Sequence, residues 1–494
     1  MGVVHRAVAT SLMVTASLAL AVPASAQQAP PGTFDAVRNL CLALAFGQEQ
    51  KDIVLTTAQR DVFGRCSEMV GSRETGAPAA SVALAREEIA AAGSALTETA
   101  VSQLANVQGR VVQLHRGARG LSVAGLTLDE PELPSSTGVR LAALGDVERY
   151  LVATVDQQDA GGGSDPAVYA EPWGFFVSGH YASGDRDNTD LEPGYDFDSY
   201  DVTAGIDRRV GRSGFFGLAG GLSASGSDLT SSELNPAASG GTFDVDGTSL
   251  SLYTGAGLAD AWLVDASVVL TSQDFESHIP VRYDIAGHPV SQIALAETEG
   301  DELVVSGGIT YDRASGGFSF QPSLRVTWTD ATVDGYTESF VNGPGSAIDP
   351  VTNMPYGFGL ALAVGDQDIE SLISTLGATL AWNVSNSWGV FIPQLRFDWM
   401  HEFEDDPRAI VTRFAATPDN IAELLPLVPG GPTDPSAVNL TVFTNEPDRD
   451  YFNIGAGFQA VAAGGTQFFL IVETVQDLDN VSSYGGTAGI RFAF

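Results

Sequence analysis

The chain ends in Tyr484-Gly-Gly-Thr-Ala-Gly-Ile-Arg-Phe-Ala-Phe494. Taken in steps of two, one face carries Tyr484, Gly486, Ala488, Ile490, Phe492 and Phe494, and the other Gly485, Thr487, Gly489, Arg491 and Ala493. Successive side chains of a strand point to opposite faces, so this is a strand with one apolar and one tolerant side. A free Phe494 beside the terminal carboxylate suits a strand whose outer face meets lipid.

The same period runs back from Phe494 to Pro172. Twelve segments carry it. The first six are Trp173–Gly184, Tyr200–Arg209, Phe215–Ser227, Thr242–Ala256, Ala261–Phe275 and Leu303–Asp312. The second six are Phe318–Ala331, Glu370–Asn383, Trp388–Glu402, Tyr451–Ala462, Thr466–Val475 and Tyr484–Phe494. Phe391, Pro393, Leu395, Phe397 and Trp399 alternate with Ile392, Gln394, Arg396 and Asp398. Links after even segments are short, such as Val210–Gly214 and Val384–Ser387; those after odd segments are longer, such as Glu276–Glu302, Thr332–Ile369 and Phe403–Asp450. Alternating short and long links are the signature of an antiparallel transmembrane barrel, whose even strand number returns both ends to the short-turn side. Ala409–Phe414 and Val438–Phe443 read as extended arms of the last long loop. Arginines on strands, namely Arg208, Arg325, Arg396 and Arg491, must face the lumen wherever they lie within the bilayer, because a lipid-facing charge at mid-depth costs ~2–4 kcal/mol.

Composition agrees. Among 494 residues, 24 are basic and 61 acidic, a formal charge of −37, which excludes a nucleic-acid partner. Glycine is abundant (55 residues) and charged residues make up only 17%, as expected of alternating rather than continuous apolar strands. Residues 1–26 read as a signal peptide: His5 and Arg6 precede an apolar run, and Ala24-Ser25-Ala26 predicts cleavage between Ala26 and Gln27.

Residues 27–166 change to a helical period. Phe34, Val37, Leu40, Cys41 and Leu44 share a face, and Thr56 or Thr57 caps a second helix bearing Val62, Cys66 and Val70. Cys41 and Cys66 are the only cysteines; in an exported chain they predict a disulfide stapling a hairpin over residues 27–75. Residues 76–166 hold an alanine-rich helical stretch, about Ser81–Arg116, then a glycine-rich linker, ahead of the barrel at 167–494.

Trp173-Gly-Phe-Phe-Val-Ser-Gly179, Tyr200-Asp-Val-Thr-Ala-Gly-Ile-Asp207, Gly217-Leu-Ala-Gly-Gly-Leu222, Ile454-Gly-Ala-Gly-Phe458 and Arg491-Phe-Ala-Phe494 occur in this order. In order and spacing the region resembles the translocator barrel of autotransporters, the type V secretion family. The resemblance implies a twelve-stranded outer-membrane barrel with a helix threaded through the pore. It also implies insertion by the outer-membrane assembly machinery, with Tyr484, Ile490, Phe492 and Phe494 as the assembly signal. Residues 81–116 or 139–155 would supply the pore helix. Typical family members carry long passengers; this chain has only its helical segment.

No catalytic motif is present: there is no G-x-S-x-G elbow, H-E-x-x-H or lysine-bearing phosphate loop, and the histidines are scattered. No enzyme activity and no cofactor are expected. Two acidic clusters, Asp185/Asp187/Asp190 and Asp196/Asp198/Asp201, are candidate ligands for Ca²⁺ or Mg²⁺ bridging to lipopolysaccharide phosphates. Neither completes a calcium loop, so a solvated, mutually repelling rim is the preferred reading, as it is for Glu402–Asp406. The expected function is an outer-membrane barrel, monomeric and in contact with lipid and lipopolysaccharide, that translocates or anchors its own N-terminal segment. A passive pore and a surface binder using the long loops are the alternatives.

Overall fold

A computed structural model describes residues 33–71, 88–115, 120–123 and 173–491, less residues 190, 212, 231–239, 259–260, 286, 316, 387–388 and 463–466. The signal peptide, the cleavage site, residues 139–155, Phe492 and Phe494 lie outside the described residues.

Twelve antiparallel strands close into a barrel. They are β1 (Trp173–Arg186), β2 (Tyr195–Val210), β3 (Gly214–Leu229), β4 (Thr242–Gly257), β5 (Trp262–Ile285) and β6 (His288–Tyr311), then β7 (Phe318–Val333), β8 (Gln367–Trp382), β9 (Gly389–Glu402), β10 (Asp450–Ala462), β11 (Gln467–Gln476) and β12 (Val481–Arg491). Each segment read from the sequence corresponds to one strand.

The alternation is physical. Along β2 and β3 every second residue is buried toward the lumen, and the residues between, such as Val202, Ile206, Leu218 and Leu222, are exposed on the outside. The exterior is an apolar band edged by aromatics. Trp173, Trp262, Phe318 and Trp382 mark its short-turn edge, and Tyr181, Tyr200, Trp328 and Trp399 the other. Phe318 and Trp328 lie on one strand; at ~3.4 Å per residue and a tilt of ~45° they bracket about 24 Å, the height of a barrel's lipid belt. Leu395, Phe397 and Trp399 face outward as expected. Arg325 and Arg396 reach lumenal aspartates, whereas Arg208 lies at the short-turn edge with its guanidinium 5.3 Å from the Trp173 ring centre.

Two links depart from expectation. The segment 276–302 is not a loop. β5 and β6 stay paired from Trp262↔Tyr311 to Ile285↔His288, closing at Gly287 (φ +78°), whose N–H donates to Asp284 Oδ1 at 3.0 Å. Pro280, which disguises this ladder in the sequence, lies beyond the last β4 partner (Thr242↔His278), on an edge where its missing N–H costs nothing. The β11–β12 link is also tight, held by Asp477 and Asn480 in left-handed conformation.

Above the long-loop end, Tyr336–Thr337, Leu362–Val364, Ala409–Phe414 and Leu440–Phe443 form a separate four-stranded sheet. Helices α1 (Thr33–Lys51) and α2 (Thr57–Gly71) pack onto this region. Leu40, Cys41, Leu44, Val62 and Cys66 share one buried core with Leu360, Leu362, Leu424, Leu425, Val438 and Leu440. A capping box starts α2: Thr56 Oγ1 accepts from the Gln59 N–H at 3.2 Å, and Gln59 Oε1 from the Thr56 N–H at 3.0 Å. The Cys41–Cys66 disulfide joins the two helices.

Candidate functional site: a plugged lumen beneath a cap

The third helix, α3 (Glu88–His115), runs down the lumen. Its first turn joins the cap core through Ile89 and Ala90. Its last turn reaches the short-turn end, where Arg209 Nη2 donates to the Leu114 carbonyl at 2.5 Å. That contact places a cation on the orphan carbonyls of a helix C-terminus. Of the two stretches proposed for a pore helix, the lumen holds the first.

Side chains at three- and four-residue spacing fasten α3 to the wall. Gln103 donates to Asp201 Oδ1 (3.0 Å) and the Leu222 carbonyl (3.1 Å), and its Oε1 accepts from Thr203 (2.8 Å) and Ser249 (3.2 Å). Asn106 Oδ1 accepts from Ser178 at 2.8 Å. Arg110 Nε donates to Asp207 Oδ2 at 2.7 Å, with both side chains 1% exposed. The Tyr253 hydroxyl donates to the same oxygen at 3.2 Å, and the guanidinium lies 5.3 Å from the Phe176 ring centre. Around these polar contacts, Val107, Val111 and Leu114 pack on Phe176, Phe215, Ala219 and Tyr253. Gly221 leaves room for the Gln103 amide: a Cβ there would come within 2.1 Å of Gln103 Oε1 and would displace it from its partners.

The plug is eccentric. It packs on β1 to β6 and leaves its Gly109 and Val112 face toward the rest of the lumen. On the β9 side the Arg396 side chain, paired with Asp398, stays 45% exposed although it points inward. Arg325, paired with Asp265 at 2.6 Å, Glu473 and His180 continue that polar wall.

The cap is fastened by charges as well as by its core. Asp61 accepts from the Gly357 N–H (3.2 Å) and the Gly359 N–H (3.0 Å). Burial pushes its carboxyl above the usual aspartate range, against the pull of those N–H groups and Arg65. Arg65 lies 4.3 Å from the Tyr356 ring centre and pairs with Asp349 at 3.7 Å.

The second acidic cluster is divided by the pleat. Asp185 and Asp196 are cross-strand partners, and Asp198 accepts from the Tyr181 hydroxyl at 2.6 Å on the exterior. Asp201 is an odd number of residues along, so it faces the lumen, where Gln103 uses it. Asp187 follows the end of β1, and Asp190 lies outside the described residues. Glu402 corrects another expectation. It is not a solvated rim residue: it is 7% exposed and accepts from Ser371 Oγ (2.6 Å) and the N–H groups of Leu372 (2.9 Å), Phe403 (3.0 Å) and Glu404 (3.0 Å). It thereby fixes the root of the longest loop. Gln103, Asn106 and Arg110 carry the plug contacts and went unnoticed in the sequence, although polar residues on the apolar stripe of α3 were their visible trace.

The closure of the barrel also differs from expectation. β12 meets β1 directly only from Gly179↔Ala488 to Arg186↔Val481. Below that, Gly120–Val123 lies between them, parallel to β1 and antiparallel to β12.

Several solved structures are similar to this chain. The translocator domain of the autotransporter NalP from Neisseria meningitidis matches with a TM-score of 0.45 and 12% identity, covering 72% of this chain and 97% of that one. The β domain of the Bordetella autotransporter BrkA matches with 0.40 and 14%, covering 66% and 100%. The transport unit of AIDA-I from Escherichia coli matches with 0.39 and 14%, covering 70% and 97%. No curated protein matches. The family model described as "Autotransporter beta-domain" matches residues 175–354 and 355–423, half of the sequence. The chain therefore belongs to the autotransporter β-domain family, as an outer-membrane-type barrel with a helix in its lumen.

Proposed function

We propose that this protein resides in the bacterial outer membrane, carries its own N-terminal hairpin through the barrel, and retains it at the cell surface as a cap. One observation carries the reading. The hairpin 33–71 lies at the long-loop end and β1 starts at the opposite end, with α3 spanning the lumen between them. The N-terminal segment is a structural part of the loops, since neither Leu424 and Leu425 nor Leu40 and Leu44 bury their side chains without the other. The role is one of anchoring, without catalysis. On this reading the partners are outer-membrane lipid and lipopolysaccharide, and the assembly machinery that receives Tyr484–Phe494. The barrel is monomeric.

The test is a short epitope inserted at Val54, which is 92% exposed in the α1–α2 link. Antibody added to intact cells is expected to bind it. Binding only after the outer membrane is permeabilised would refute surface display.

A second reading, a passive conduit, draws support from the exposure of Gly109, Val112 and Arg396 toward the side of the lumen that α3 does not fill among the described residues. It requires conductance across planar bilayers that does not rise when residues 27–160 are deleted. The surface-binder reading is less well supported, because its two longest loops are committed to the cap core through Leu360, Leu424 and Val438.

A further inference from the structure

The four residues Gly120–Val123 begin five positions after His115, the last residue of α3. They sit in the barrel wall, at the short-turn end of the seam. Leu121, Ser122 and Val123 pair with Phe175, Phe176 and Val177 of β1, and Ser122 and Val123 pair with Arg491 and Ile490 of β12.

The registers of the three strands are commensurate. The direct ladder of β1 with β12 runs from Arg186↔Val481 to Gly179↔Ala488. Continued without a slip, it would pass through Ser178 and Gly489 and then join Val177 to Ile490 and Phe176 to Arg491. Those are the residues that Val123 and Ser122 separate: Val123 pairs with both Val177 and Ile490, and Ser122 with both Phe176 and Arg491. The interposed strand therefore fills the seam without shifting either neighbour along its axis. Its withdrawal would leave two edges already in register, and each edge carries unpaired N–H and C=O groups that seek a partner. A one-residue slip would have reversed every side chain and prevented such an exchange.

We infer that Gly120–Val123 is an exchangeable seam strand that couples the seating of the plug to the closure of the barrel. With α3 seated, the strand completes the short-turn end of the wall. With α3 withdrawn toward the cap, the short link pulls the strand out and β1 zips directly onto β12. The seam thus has two closed states that differ by the presence of one strand. The plug is tied into the wall as well as fastened within the lumen. The tie adds a mechanical link to the side-chain contacts of Gln103 and Arg110.

Paired cysteines in the full chain, oxidised in isolated outer membranes, distinguish the two states. Adjacent strands are ~4.8 Å apart, so Val177 and Ile490 are about 9–10 Å apart across the interposed strand, beyond the ~4.4–6.8 Å that a disulfide spans between Cα atoms. V123C/I490C is expected to cross-link, and V177C/I490C to fail. Deleting residues 120–123 is expected to reverse the second result, with the barrel still heat-modifiable on gels. The same deletion should speed maleimide labelling of N106C in the plug by about tenfold, the loss of one or two ladder hydrogen bonds. Cross-linking of V177C/I490C in the undeleted chain would overturn the inference. So would a deleted chain that folds without forming that cross-link, or one that cannot fold, since the seam would then depend on the strand. Unchanged labelling of N106C would overturn the coupling to the plug.

Discussion

Replacing Arg110 by methionine tests what holds the plug. Arg110 and Asp207 are each 1% exposed and joined at 2.7 Å, with the helix on one side of the pair and β2 on the other. Removing one member of a buried pair strands the other charge and costs ~3–5 kcal/mol. Tyr253 still donates to Asp207, which places the expected loss near the lower bound, about 3 kcal/mol. At ~1.4 kcal/mol per factor of ten, the unseated population should rise by about two orders of magnitude. Asn106 reports it, being 1% exposed while the helix is seated. In an N106C background, the rate of maleimide labelling in folded barrels measures unseating, and R110M should accelerate it about 100-fold. The double variant R110M/D207L removes both charges together and should recover most of the loss, because no charge is left buried alone. Two results would refute the reasoning: labelling of R110M at the parental rate, or effects of R110M and D207L that simply add in the double variant.

Three further outcomes follow from the same contacts. Substituting Cys41 and Cys66 by alanine opens a link between residues 25 apart and should cost the cap ~3 kcal/mol, read as a lower cap melting temperature with the barrel still heat-modifiable. E402A leaves the Leu372 and Glu404 N–H groups without their acceptor, at a cost of ~1–3 kcal/mol, and should make residues 403–449 the first site of limited proteolysis on intact cells. Hydrogen bonding from Arg449 holds the Asp405 carboxyl below the usual aspartate range. A depressed folded value means its contribution is present above the unfolded pKa of ~3.9 and lost as pH falls through the lower folded value. Amide exchange around residues 404–408 should therefore stay slow down to pH ~4 and accelerate only below it, and D405N should abolish that step.

Much of the barrel was legible because its determinants are local. A residue's face is set by its parity along its own strand, so Leu395 and Phe397 declare themselves outward without reference to any other segment. Loop alternation then supplied strand number and orientation. The reading failed where a local signal was cancelled by distant partners. Pro280 looks like a breaker, yet it lies beyond His278, where the β4 ladder has ended and no described residue pairs with that edge. Glu402 looks like part of a solvated acidic run, yet it is buried by backbone groups of the neighbouring strand. Parity alone also makes visible that Asp201 points the opposite way from Asp196 and Asp198.

The sequence by itself determined a twelve-stranded barrel, its lipid-facing columns, its two rims and a stapled helical hairpin, because strand pleat, helix period and cysteine number are properties of short stretches. Only the tertiary structure decided which helix fills the lumen, that Arg110 meets Asp207, that the hairpin shares a core with loops nearly 400 residues away (Asn39 Nδ2 donates to the Ala437 carbonyl), and that Gly120–Val123 divides the seam. These are contacts between segments whose patterns are complete in themselves. An apolar stripe requires a partner, but the partner is chosen by shape, charge and register once the barrel has closed.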